Sequence, residues 1–125
     1  MMQGIDTFQV AERLLNETAG EAEYRAAASR AYFAAFQHTI AQSTALGFNR
    51  ERSANDHQNI VVFLKKAKTR NTLHRCGSHL AQLRRLRNAA DYELDETFSL
   101  DFAQRALDLA TDIIFDILPS PTRHG

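Results

Sequence analysis

The stretch that decides the fold is Glu21–Leu46, EAEYRAAASRAYFAAFQHTIAQSTAL, which runs to Gly47 without a glycine or proline. Alanine and the long unbranched side chains that dominate it are strong helix formers, so it predicts one long helix. Gly47 stands where a helix end needs a residue tolerant of left-handed backbone. Tyr24, Ala28, Ala31, Ala35 and Thr39 form a stripe of mostly small residues, and Tyr32, Phe33, Phe36 and Ile40 form a bulky stripe beside it. Apolar surface around so much of the circumference predicts a helix at the centre of a bundle.

Working outward, Asp6 is the expected N-cap of a short first helix carrying Phe8, Ala11, Leu14 and Leu15 on one face, and Gly20 breaks the chain after it. Residues 47–55, GFNRERSAN, read as a loop, and Ile60, Phe63, Leu64 and Ala67 then mark a third helix at three- and four-residue spacing. Asn71 or Thr72 is placed to cap a fourth, with Leu73, Cys76, Leu80, Leu83, Leu86, Ala90 and Leu94 facing inward despite Gly77. A last helix opens near Ser99, buries Phe102, Ala103, Leu107, Ala110, Ile113, Ile114 and Leu118, and stops at Pro119. The fold expected is all-α: an up-and-down bundle of four main helices plus a short N-terminal one, in one domain over residues 1–118, with 119–125 as a flexible tail.

Within 125 residues, 44% hydrophobic and 24% charged, there is enough apolar material for one core and no sign of a disordered chain. The 15 basic and 15 acidic residues sum to zero, which taken alone argues against a nucleic-acid partner. The distribution reverses that inference. Between Asn49 and Asn88 the basic residues Arg50, Arg52, Lys65, Lys66, Lys68, Arg70, Arg75, Arg84, Arg85 and Arg87 face only Glu51 and Asp56, a net of +8 that leaves the remainder at −8. One cysteine excludes an internal disulfide, and no apolar run reaches the roughly 20 residues that cross a bilayer, so a cytoplasmic protein with no membrane partner is expected.

Metal chemistry finds little support. His74 and His79 are five residues apart, about 140° around a helix, the wrong angle for joint ligation. Cys76 falls on an inward stripe as a small core residue, no glycine-rich phosphate loop is present, and neither metal nor cofactor is expected. Two stretches are more specific: SRAYFAAF, Ser29–Phe36, in the long second helix, and RNAADY, Arg87–Tyr92, late in the fourth. In order, separation and helical setting this pair resembles the HEPN family of small helical proteins, over roughly residues 8–118. The resemblance implies a bundle of about five helices, a homodimer formed through the arginine-bearing helix, and in many members a metal-independent endoribonuclease of toxin–antitoxin or antiviral systems. It also implies the site: an arginine followed after four to six residues by a histidine, both protomers contributing to one cleft, here Arg87 with Asn88, Asp91 and Tyr92.

Tyr92 stands where that pattern has histidine. Cleavage of RNA by 2′-hydroxyl attack needs a group that takes up and releases a proton near neutral pH, and with a reference pKa near 10 only about one tyrosine in a thousand is ionised at pH 7. His38, His57, His74 and His79 are left as other bearers of the role. Some members carry a tyrosine, two positions beyond the histidine, that a partner nucleotidyltransferase modifies; Leu94 occupies that position here. Arg87 and Asp91, four apart on a helix, also have a plain reading as a local ion pair. That reading leaves unexplained an arginine on the otherwise apolar course Leu80, Leu83, Arg87, Ala90, Leu94. Lys65, Lys66, Lys68, Arg70, Arg75, Arg84 and Arg85 are candidates for contacting RNA phosphates, or else a solvated charged face. Two functions are carried forward: an RNA-binding or ribonuclease-type homodimer, and a noncatalytic module that partners a nucleotidyltransferase or another defence protein.

Overall fold

The computed structural model describes residues 2–67 and 71–120, and every element in them is helical. The order is α1 (Gly4–Leu14), α2 (Glu21–Thr44), α3 (Asp56–Lys65), α4 (Asn71–Tyr92) and α5 (Leu100–Thr111), the last continuing into a π-helical turn, Asp112–Ile117. The all-α bundle expected from sequence is therefore present. None of the described helices is long and apolar enough to cross a membrane.

Helix α2, about 36 Å long at 1.5 Å per residue, is the axis of the bundle, with α1, α4 and α5 packed around it. Its alanines at 27, 28, 31, 34 and 35 are fully buried on several sides, so neighbouring helices approach closely. Gly4 makes one such approach possible. A Cβ there would lie 2.6 Å from the backbone oxygen of Ala34. The helix consequently opens at Gly4 rather than after Asp6, which corrects the expected cap: Gln3 is the N-cap, and Asp6, in the first turn, accepts the Gln3 N–H at 2.8 Å.

Helix α2 ends at Thr44, and Gly47 takes a φ of 101° while Phe48 N–H donates back to Ser43. The following loop is organised from its far end. The buried Asp56 carboxylate accepts the N–H groups of Glu51 (2.8 Å) and Arg52 (3.0 Å), with Arg50 Nε 3.7 Å away, and these contacts, the Glu51 bond first, hold its pKa below the ordinary carboxylate value.

Helices α3 and α4 form an antiparallel hairpin. The end of α3 meets the first half of α4 at Gly77, where a Cβ would come within 3.2 Å of Lys65 Cγ and 3.3 Å of Leu64 Cβ. Leu73, Cys76, Leu80, Leu83 and Ala90 are buried as expected, but Leu94 is not: it lies beyond the helix, 67% exposed. The cause is Arg25 of α2, whose guanidinium donates to the carbonyls of Ala89 (3.2 Å), Ala90 (2.9 Å), Glu93 (3.2 Å) and Glu96 and closes off the helix at Tyr92.

Ser99 caps α5, its hydroxyl accepting the Phe102 N–H at 3.2 Å. Phe102, expected in the core, is 45% exposed, because the inward face runs through Ala103, Ala106, Leu107 and Ala110 and leaves it at the margin beside Phe98. The widened π turn lets Ile113, Ile114 and Ile117 all reach the core before Pro119 stops the chain, and His38 of α2 hydrogen-bonds the Leu118 carbonyl at that end. Most of the tail expected over 119–125, residues 121–125, lies outside the described residues.

Candidate anion site on helix α4

Ser29 and Phe33 of the first sequence stretch face Arg87 and Asp91 of the second. Ser29 Oγ donates to Asp91 Oδ2 at 3.2 Å, and the Arg87 guanidinium lies over the Phe33 ring, 5.1 Å from its centroid. Spacing explains the meeting: residues 29 and 33, and 87 and 91, are each four apart and so stack on one helix face.

The surroundings of Arg87 are polar on one side only. Its Nε is 2.9 Å from Asp91 Oδ2, its Nη1 donates to Asn88 Oδ1 at 3.2 Å, and its Nη2 is 3.5 Å from the Tyr92 hydroxyl, whose ring it also covers at 5.3 Å. Asp91 is thus its ion-pair partner, and the Nη groups have no further hydrogen-bond partner among the described residues. Arg84 is half-buried one turn before Arg87, and Arg30 sits 5.9 Å from Phe33 on its other flank. Arg87 and Arg30 thus cover Phe33, and Arg84 and Arg87 act on His57, with Asp91 as the carboxylate paired to Arg87, an excess of positive charge that an anion relieves.

His57, in the first turn of α3, reaches the same place from across the hairpin. Its ring stacks on Phe36 at 4.1 Å and 8°, meets the edge of Phe33, and its Nδ1 is hydrogen-bonded to the hydroxyl of Tyr32. Tyr32 is fully buried, and burial pushes its pKa up to about 12 against the opposing pull of Arg84 and Arg87. Burial also lowers the pKa of His57, and the same two arginines lower it further, while Asp56 acts the other way.

The other described histidines are engaged elsewhere. His38 is bound to Leu118, His74 donates to the Ala67 carbonyl at 2.6 Å, and His79 faces Asp112 at 3.3 Å. Cys76 is buried beside Thr39, with a thiol pKa pushed up to about 11, and is a core residue. Among the described residues no three His, Cys, Asp or Glu side chains gather as metal ligands.

Of the basic residues named from sequence, Arg84 joins Arg87, and Arg85 is exposed beside them. Lys65 and Lys66 lie at the opposite end of the hairpin, near Gly77, about 15 Å along α4 from Arg87. Arg75, nine residues before Arg84, is half a turn round the helix and pairs with Asp116 at 3.2 Å. Lys68 and Arg70 fall outside the described residues. A cavity of about 850 Å³ between the start of α1, the second half of α2 and Arg50 and Arg52 adjoins this cluster at Phe36 but takes in neither Arg87 nor His57.

Neither family models, nor curated proteins, nor solved structures match this chain. Function is therefore argued from the cluster itself. Arg30 and Tyr32 are the members that the charge count and the motif spacing passed over, and His57 stood as one of four histidines open for the role. Arg30 carried a usable signal, three residues before Phe33 on the same helix face. The Tyr32–His57 contact joins residues 25 apart and leaves no local pattern.

Proposed function

We propose that this chain is a HEPN-like RNA-binding protein of ribonuclease type, acting as a homodimer, with Arg87 as the residue that engages an RNA phosphate. The observation that carries the reading is the partly exposed Arg87 guanidinium, whose Nη groups meet only Asn88 Oδ1 and, at 3.5 Å, the Tyr92 hydroxyl among the described residues, with Arg84 and Arg30 nearby against the carboxylate of Asp91. Such a group has hydrogen-bonding capacity and charge to spare, and a phosphodiester supplies both needs. Asn88 and Asp91 orient it.

The resemblance of SRAYFAAF and RNAADY to HEPN proteins supports the same reading, and so does their contact through Ser29–Asp91 and Phe33–Arg87. Exposed Tyr92, Leu94, Leu100 and Phe102 around the α4–α5 turn offer apolar surface for a second copy. The same turn, bordered by the exposed acids Glu93, Asp95 and Glu96, favours the second reading, a noncatalytic module that docks a nucleotidyltransferase or another defence protein.

Incubation with labelled single-stranded RNA in chelator tests the reading directly. Metal-independent cleavage or saturable binding that disappears in Arg87→Ala supports it, with a log-log salt slope of about −0.7 per phosphate contacted. Wild-type protein that neither binds nor cleaves RNA, yet sediments as a stable dimer, supports the docking module instead.

A further inference from the structure

His57 is the described histidine that shares the surroundings of Arg84 and Arg87, and the structure fixes which of its nitrogens is available. Nδ1 is held by Tyr32, a fully buried hydroxyl whose proton has no other acceptor among the described residues and is therefore directed at the ring. The neutral tautomer this selects carries its proton on Nε2. That nitrogen has no hydrogen-bond partner among the described residues and is not among the buried unpartnered atoms. Stacking against Phe36 and the edge of Phe33 sets the ring plane, so Nε2–H is a prepositioned donor against the Phe33 ring that Arg87 also covers.

We propose that His57 is the third phosphate-binding residue of the Arg84–Arg87 site, presenting Nε2–H to an RNA phosphodiester and gaining a proton when that anion binds. The inference rests on the RNA-binding reading above. The groups facing His57 are Tyr32 with the more distant Arg30 from α2, Asp56 with its partner Arg50 on its own side, and Arg84 and Arg87 from α4. Without an anion, burial and the two α4 arginines oppose protonation more than Asp56 favours it. A bound phosphate reverses the local sign, and by linkage the affinity for the phosphate rises as pH falls. Each pKa unit gained on binding is tenfold in affinity between the limits of the transition. Tyr32 acts as a positioning residue through the tautomer it selects.

The experiment uses fluorescent 2′-O-methyl oligouridine, which carries phosphodiesters but cannot undergo 2′-hydroxyl attack. Its anisotropy is followed with the full chain from pH 8 to pH 5.5, alongside the His57 C2–H resonance with and without the oligonucleotide. Wild type is expected to tighten about tenfold over this range, with the His57 titration displaced upward by ligand. His57→Gln binds more weakly already at pH 8, its remaining binding still dependent on Arg87, and loses the tightening, and Tyr32→Phe lessens it. An unchanged pH dependence in His57→Gln, or a His57 titration that ligand does not move, overturns the proposal while Arg87-dependent binding leaves the RNA reading intact. Failure of wild type to bind at any pH overturns both. Thermal melting and the dispersion of the proton spectrum verify that His57→Gln is folded; should it unfold, the wild-type titration with ligand decides alone.

Discussion

Two arginines lie beside the last turns of α4, each against a phenylalanine ring: Arg25 with Phe98 and Arg87 with Phe33. Their hydrogen-bonding states differ sharply. Arg25 spends its guanidinium on four backbone carbonyls and sits near Glu21, so its donors have internal partners and its work is to close a helix. Arg87 has a carboxylate, an amide oxygen and a distant hydroxyl, keeps Nη hydrogens without a partner among the described residues, and has Arg84 and Arg30 near at hand. A structural arginine is satisfied within its own chain; an arginine kept short of partners beside other cations is arranged for something that arrives from outside.

The largest expected effect follows from breaking the satisfied member. Arg25→Ala leaves the end of α4 uncapped and costs about 3 kcal/mol of stability, measured by urea unfolding, because several charge-assisted bonds go at once. Arg87→Ala costs less, roughly 1 kcal/mol, since it gives up one i,i+4 ion pair and the ring contacts with Phe33 and Tyr92 but uncaps no helix. Equal losses for the two would erase the contrast.

A smaller effect sharpens it from the acidic side. Asp91→Asn removes the carboxylate that orients Arg87, and RNA affinity should fall a few-fold with no loss of fold; a rise in affinity would mean that Asp91 competes with RNA for Arg87 rather than orients it.

The mildest prediction concerns another satisfied group. Asp56 has a pKa below its ordinary 3.8, so its stabilisation is present above that value and is lost as pH falls through the folded-state value. Asp56→Asn should flatten the acid limb of the stability curve in that window, as followed by circular dichroism.

The same contrast explains what the sequence could disclose. Helix boundaries set by local chemistry were legible: Gly20, Gly47, Ser99 and Pro119 all stand where helices begin or end. Boundaries set by distant groups were not. Helix α4 stops at Tyr92 because Arg25, 64 residues from Ala89, caps it there, and α1 starts at Gly4 because only glycine fits against Ala34. The π turn likewise has no local mark, since it arises from three isoleucines packing inward together.

At the site, Arg87 and its ion pair with Asp91 follow from four-residue spacing, and its anomalous place on an apolar course was visible. The basic block, in contrast, read as one face but is divided, with Arg75 turned towards Asp116 and Lys65 set at the far end of the hairpin. His57 entered only as one of four histidines, because its relation to Arg84 and Arg87 exists only once α3 folds back along α4.

The most direct measurement is anisotropy of labelled single-stranded RNA at fixed ionic strength with wild type, Arg87→Ala and Arg75→Ala, two substitutions equal in charge but placed differently. The account predicts at least a tenfold loss for Arg87→Ala and near wild-type binding for Arg75→Ala. Equal, small losses for both would show that binding follows overall charge, and would contradict a site built around Arg87.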